Sequence, residues 1–155
     1  MQIDPITGRD KSHEYLSFKL DQEDYAVEIM AVREIRSWSH ADPLPHAPTY
    51  VRGMINLRGI LLPVLDLSAR LGMAPVDADR RSAVIVVQVN DQNLGLLVGE
   101  VSDILDIGTE ALQSPPEVAD DGGAGYVSAL AVIEERMVRI LDLGRLLPAK
   151  EEFAA

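Results

Sequence analysis

The sequence predicts an all-β fold with short helices, organised as two small five-stranded barrels packed around one shared core. Three observations carry that prediction. Apolar residues alternate with polar ones at the period of a half-buried strand. Turn-forming residues interrupt the alternation at short intervals, so the strands are short. The second half of the chain repeats the first in pattern and order.

Residues Met1 to His13 are polar, carry Pro5 and Gly8, and read as a flexible tail. Leu16, Phe18 and Leu20 then alternate with Ser17 and Lys19 as a strand. Asp21-Gln22-Glu23-Asp24 reads as a turn, and Tyr25, Val27 and Ile29 resume the alternation, which completes a hairpin. Met30 to Ile35 reads as a short helical turn leading into another strand. Ser37 to Thr49 holds Pro43, Pro45 and Pro48 and is a loop. Val51–Leu57 and Ile60–Leu65 are apolar strands joined by the tight turn Arg58-Gly59, where glycine takes positive φ without steric cost. Asp66 is placed as the N-cap of a short helix, Leu67 to Leu71, that Gly72 ends. Gly72 to Ser82 reads as a connector.

Beyond the connector the pattern recurs. At a constant offset of 69 residues Phe18 meets Val87, and Tyr25, Val27 and Ile29 meet Leu94, Leu96 and Val98. At an offset of 76, Tyr50-Val51 meets Tyr126-Val127 and Leu65-Asp66-Leu67 meets Leu141-Asp142-Leu143. The offset grows because the loop Gly108 to Gly125 is longer than Ser37 to Thr49, and loops are where insertions are tolerated. The expected organisation is a first barrel over about residues 14–72 and a second over about 82–148, followed by a tail at 149–155. A half alone, at about 60 residues, is too small to be more than marginally stable.

Composition removes several functions. The chain has 155 residues, 47% hydrophobic and 25% charged, which is globular. Its net charge of −11 repels nucleic acid and anionic membrane, and 5% aromatic residues supply no stacking platform for bases. It has no cysteine, which excludes disulfides, thiolate zinc sites and cysteine nucleophiles. The longest apolar run, Ile60 to Leu65, is far short of the ~20 residues of a membrane span.

No catalytic constellation stands out. Asp66 and Asp142 are repeat mates that read as helix caps rather than as an acid–base pair. His13, His40 and His46 lack metal-ligand spacing. Asp120-Asp121-Gly122-Gly123 lacks the spaced acids and closing Glu of a calcium loop. No phosphate loop or nucleophile elbow is present. Neither an enzyme activity nor a cofactor or metal is expected. A small-ligand barrel is the competing class, disfavoured by the scarcity of aromatic and convergent polar residues.

One stretch carries a family signature. Tyr50-Val51-Arg52-Gly53-Met54-Ile55-Asn56-Leu57-Arg58-Gly59-Ile60-Leu61-Leu62-Pro63-Val64-Leu65-Asp66-Leu67 resembles the chemotaxis coupling (CheW-like) family, whose Ile-Asn-Leu-Arg-Gly and Pro-Val-x-Asp-Leu segments it matches. The resemblance extends from about Glu14 to Leu147, through Tyr25 to Ile35 and through Val84 to Leu105. It implies two SH3-like five-stranded barrels around a shared core. It also implies a stand-alone cytoplasmic adaptor that joins chemoreceptor tips to the regulatory domain of a CheA-type histidine kinase. The output, flagellar or a pilus or other response, stays open. By the resemblance, receptor contact falls on Val32, Glu34, Gly53, Arg58 and Ile104. Candidate kinase contacts are Ile35, Trp38 and Met54, with Trp38 read either as an exposed loop anchor or as a cover for the barrel end. Family members can carry a basic and an aromatic residue that help close rings; this chain has Gln113 and Val118 there.

Overall fold

The computed structural model describes residues 13–39, 41–115 and 124–147. Residues 1–12 of the expected N-terminal tail, the expected C-terminal tail, His40, Val118 and the Asp120 to Gly123 run lie outside the described residues. Within them the chain forms strands β1 (Glu14–Leu20), β2 (Glu23–Glu28), β3 (Val32–Ser37), β4 (Val51–Leu57) and β5 (Ile60–Asp66), then the one-turn helix α1 (Leu67–Arg70). The second half gives β6 (Ala83–Val89), β7 (Gln92–Val98), β8 (Glu100–Asp106), β9 (Val127–Ile133), β10 (Arg136–Leu141) and helix α2 (Leu143–Leu146). The short helical turn expected before β3 is a 3-10 turn at Ile29–Ala31. Every strand of the first half thus recurs in the second at the offsets read from the sequence.

The hairpin turns repeat as closely. Asp21 and Gln22, Arg58 and Gly59, Asn90 and Asp91, and Glu134 and Glu135 all have positive φ at both central positions. That geometry matches the right-handed twist of the flanking strands. The first turn is tighter than expected, because Glu23 and Asp24 already belong to β2 and pair with Leu20 and Lys19.

The sheets, however, do not coincide with the halves. Their strand orders are β8-β1-β2-β10-β9 and β3-β6-β7-β5-β4. Replacing each strand by its repeat mate converts one order into the other. One barrel is the continuous stretch from β3 to β7, and the other joins β1 and β2 to β8, β9 and β10. The expected division at residues 72 and 82 is therefore corrected. The cause is local: only the turn Ile29–Ala31 separates β2 from β3, and it sends β3 to β6 in the other sheet. The hairpin left behind fills its open edge by the parallel pairing of β2 with β10, as β7 does with β5.

Each sheet curls until its end strands approach. The chain beyond β3 reaches β4 where Asp42 and Met54 exchange backbone hydrogen bonds of 3.0 and 2.8 Å. Gln113 and Leu130 do the same beside β9, at 2.8 Å in both directions. Between the barrels lies a core with side chains from both, among them Phe18, Val27, Val64, Leu65, Ile85, Leu96 and Leu141. Full burial of such a side chain contributes roughly 1.5–3 kcal/mol, so neither barrel can leave the other without exposing this layer. A smaller cluster, Tyr15, Ala26, Ile107, Ala131, Val138 and Ile140, fills the discontinuous barrel. Arg70 also joins the halves. Its guanidinium lies 4.4 Å from the Tyr50 ring and 5.1 Å from that of its mate Tyr126, and its Nε donates to the Leu146 carbonyl at 3.0 Å.

Candidate protein-binding site

The motif-bearing hairpin β4–β5 places Arg58 at its tip, beside β3. Asn56 Oδ1 accepts the Gly59 N–H at 2.8 Å and shapes the turn. Arg58 Nη2 donates to Glu34 Oε2 at 2.6 Å, and Arg36 Nη1 donates to Glu34 Oε1 at 3.1 Å. The hydrogen bond from Arg58, then that from Arg36, hold the Glu34 carboxyl below the ordinary glutamate value. The Arg58 side chain is still 72% exposed, so donors of its planar fork remain available to a partner. Arg36 was not among the residues singled out in the sequence. Its spacing from Glu34 on one strand was the available signal.

Next to this cluster is a cleft lined by Arg36, Trp38, Asp42, Met54 and Asn56. Of the two readings of Trp38, the structure fits a cover for the barrel end better than an exposed loop anchor. Trp38 is half-buried against the shared core, with the Arg52 guanidinium 5.9 Å from its ring, and its backbone N–H donates to the Ser82 carbonyl at 3.2 Å. Met54 is half-buried beside it, while Ile35 on β3 is 47% exposed and pairs in register with Ile85.

The expected receptor residues separate into four situations. Glu34 and Arg58 are bonded to each other. Val32, on the same strand, is half-buried and packs on the shared core opposite Val87. Ile104 is on β8 in the other sheet, 54% exposed, and is the repeat mate of Ile35. Gly53 lies beneath the hairpin, on β4. It is buried at φ 149°, and a Cβ there would sit 2.3 Å from the Asp42 carbonyl oxygen. Its role is to let the chain close over β4.

Asp66 is also settled by its surroundings. Its side chain is 2% exposed, accepts from Arg52 Nε at 2.9 Å, from the Ala69 N–H at 3.1 Å and from the Val76 N–H at 3.0 Å. Three donors of the fold hold this enclosed carboxylate, as expected of a structural cap. Asp142 caps α2 through the Gly144 N–H at 3.1 Å. Both are caps, as read from the sequence; the Arg52 and Val76 partners, 14 and 10 residues from Asp66, were not.

These features define a class: a duplicated all-β double barrel whose distinctive surface is an ion-paired, largely exposed cluster suited to binding another protein. The particular family follows from comparison. A family model described as the CheW-like domain matches residues 14–151, and the chain belongs to that family. It is 44% identical over 142 residues to the chemotaxis protein CheW of Rhizobium meliloti (strain 1021), which covers 92% of each chain. It is 30% identical over 149 residues to the chemotaxis protein CheW of Klebsiella aerogenes, covering 96% of this chain and 90% of that one. Among solved structures it is similar to the scaffolding protein TtCheW from Thermoanaerobacter tengcongensis, with a TM-score of 0.82 and 28% identity over 90% of this chain and 94% of the other. The expected pair of SH3-like barrels agrees with that likeness.

Proposed function

We propose that this protein is a non-enzymatic chemotaxis adaptor, cytoplasmic and recruited to receptor arrays, that couples chemoreceptor tips to the regulatory domain of a CheA-type histidine kinase. Membership of the CheW-like family supports the adaptor class. The observation that carries the receptor side is Arg58, exposed and aimed by Glu34 from the neighbouring strand. A guanidinium held this way loses little freedom when it forms charge-assisted bonds to acidic or amide groups of a helical tip. Val32 and Ile104 supply apolar contact, and Gly53 supports the hairpin from beneath. Ile35, Trp38 and Met54 are the proposed kinase side.

The test is affinity capture from native cytosol and solubilised membranes with the full chain as bait. The proposal expects a CheA-type histidine kinase together with methyl-accepting receptors. Capture of neither would contradict it.

A further inference from the structure

Both oxygens of the Glu34 carboxylate accept from guanidiniums, Oε2 from Arg58 at 2.6 Å and Oε1 from Arg36 at 3.1 Å. One negative charge therefore faces two positive ones. The Glu34 side chain is 27% exposed, while those of Arg36 and Arg58 are 45% and 72% exposed. The anion is the covered member of the cluster and the cations are the open ones. Glu34 engages one nitrogen of each guanidinium, and the fork of an arginine carries five N–H donors, so both keep donors for a partner.

The second barrel shows that the fold does not require these cations. At the offsets of the repeat, Glu34 meets Asp103, Arg36 meets Leu105 and Arg58 meets Glu134. The acid is kept and both cations are gone. Asp103 accepts instead from the Ile104 N–H at 2.9 Å. In a chain of net charge −11, two exposed arginines sharing one acid run against the overall charge, and they stand where receptor contact is proposed.

We infer that Arg36 is a second receptor-contact residue, and that the group which the Arg36–Arg58 pair takes from the receptor tip is a carboxylate and not an amide. The inference rests on the receptor reading of Arg58 and narrows it. A one-to-one ion pair is neutral, and an amide carbonyl suffices to cover it. Here one positive charge is left over, and a neutral acceptor covers it without compensation. A second carboxylate compensates it and accepts charge-assisted bonds from both planar forks. Arg36 also lines the Trp38 cleft, where the other charged residue of the lining is the acid Asp42. Like charge there favours the incoming carboxylate at the Arg58 end of Arg36.

The probe is a tip fragment of a captured receptor, with a set of its variants in which each exposed Asp or Glu is changed, one at a time, to Asn or Gln. Binding to the full chain is measured by titration calorimetry. One acid-to-amide change should weaken binding about tenfold. Arg36→Gln should weaken binding of the unaltered tip by about fivefold, and Arg36→Lys, which keeps the charge, should recover part of the loss. Against a chain carrying both Arg36→Gln and Arg58→Gln, the same acid-to-amide change should cost less than about twofold, because the groups it would have paired with are gone. Melting temperatures of these exposed-site variants should stay within about 2 °C of the unmodified protein. Equal binding after every acid-to-amide change, full-strength binding by Arg36→Gln, or a tenfold loss that persists in the double variant would overturn the inference and leave the adaptor reading standing. So would a collapsed melt of Arg36→Gln, or a variant that loses the kinase regulatory domain and keeps the tip, which would assign Arg36 to the Trp38 cleft. A tip that does not bind the unmodified chain would overturn both.

Discussion

The hairpins β4–β5 and β9–β10 share one backbone and differ in what they carry. Their tip residues Arg58 and Glu134 have the same φ of 52°. One tip is Arg58-Gly59, reached by a carboxylate from β3; the other is Glu134-Glu135. Beneath the first, Gly53 lies against the Asp42 backbone, where the second has Ala129. At the ends of the hairpins, Asp66 is enclosed and Asp142 is open. The barrel tolerates either charge at a tip, so a cation at Arg58 is not required for folding. Gly53 and Asp66, by contrast, are tied to the path of the first-half chain and are structural.

The largest effect should come from cutting the chain against its sheets. Residues 14–80 contain β1 and β2 without β8 and β10, and β3 to β5 without β6 and β7. We expect no cooperative thermal transition and collapsed amide dispersion from that fragment. Residues 29–99 hold a complete five-stranded sheet and should show more protected amides. The reverse ranking would break the assignment of barrels made here.

A smaller but still large effect is expected at the barrel closure. Gly53→Ala forces a Cβ onto a backbone oxygen and should cost roughly 3 kcal/mol or more in denaturant unfolding. Ala129→Gly, at the mate position, should cost only about 1 kcal/mol. Equal costs would show that the two closures are not distinguished by Asp42.

The two caps should separate in the same way. Asp66→Ala leaves Arg52 and the Val76 N–H without their acceptor and should lose about 3 kcal/mol. Asp142→Ala removes a cap and should lose about 1 kcal/mol. The same unfolding curves decide it, and comparable losses would contradict the enclosed-versus-open distinction.

The smallest effect is on titration. Because the Glu34 carboxyl is lowered in the folded protein, the pair's contribution is present above the ordinary glutamate value and is lost as pH falls through the lowered one. In Arg58→Gln the carboxyl should move up while staying partly lowered by Arg36. Carboxyl NMR would read this, and an unmoved Glu34 would mean that the two do not pair in solution.

Much of the fold is legible in the sequence because its signals are local. Period-two alternation marks the strands, polar pairs mark the turns, and Asp66 and Asp142 sit where a capping carboxylate belongs. The two offsets predict every repeat mate. Strand partnership is different. Alternation says which face of β2 is buried and not which strand completes its edge, so the exchange of hairpins between barrels could not be read along the chain. Side-chain partners distant in sequence were hidden for the same reason. Glu34 and Arg58 were each singled out, yet their bond spans 24 residues and depends on β3 lying beside the hairpin tip. Trp38 left two readings open because its neighbours are polar, while the side chain turns under Arg52.

The adaptor account rests most directly on Arg58, and Arg58→Glu tests it in one pair of titrations. The substitution makes the first tip resemble the second, so the melting temperature should stay within about 2 °C of the unmodified protein. Titration against a receptor tip fragment should show affinity reduced by about tenfold or more, because a charge-assisted contact is replaced by repulsion. Titration against the kinase regulatory domain should be unchanged. Receptor binding at full strength would contradict the account, and so would a collapsed melt, which would make Arg58 a structural residue.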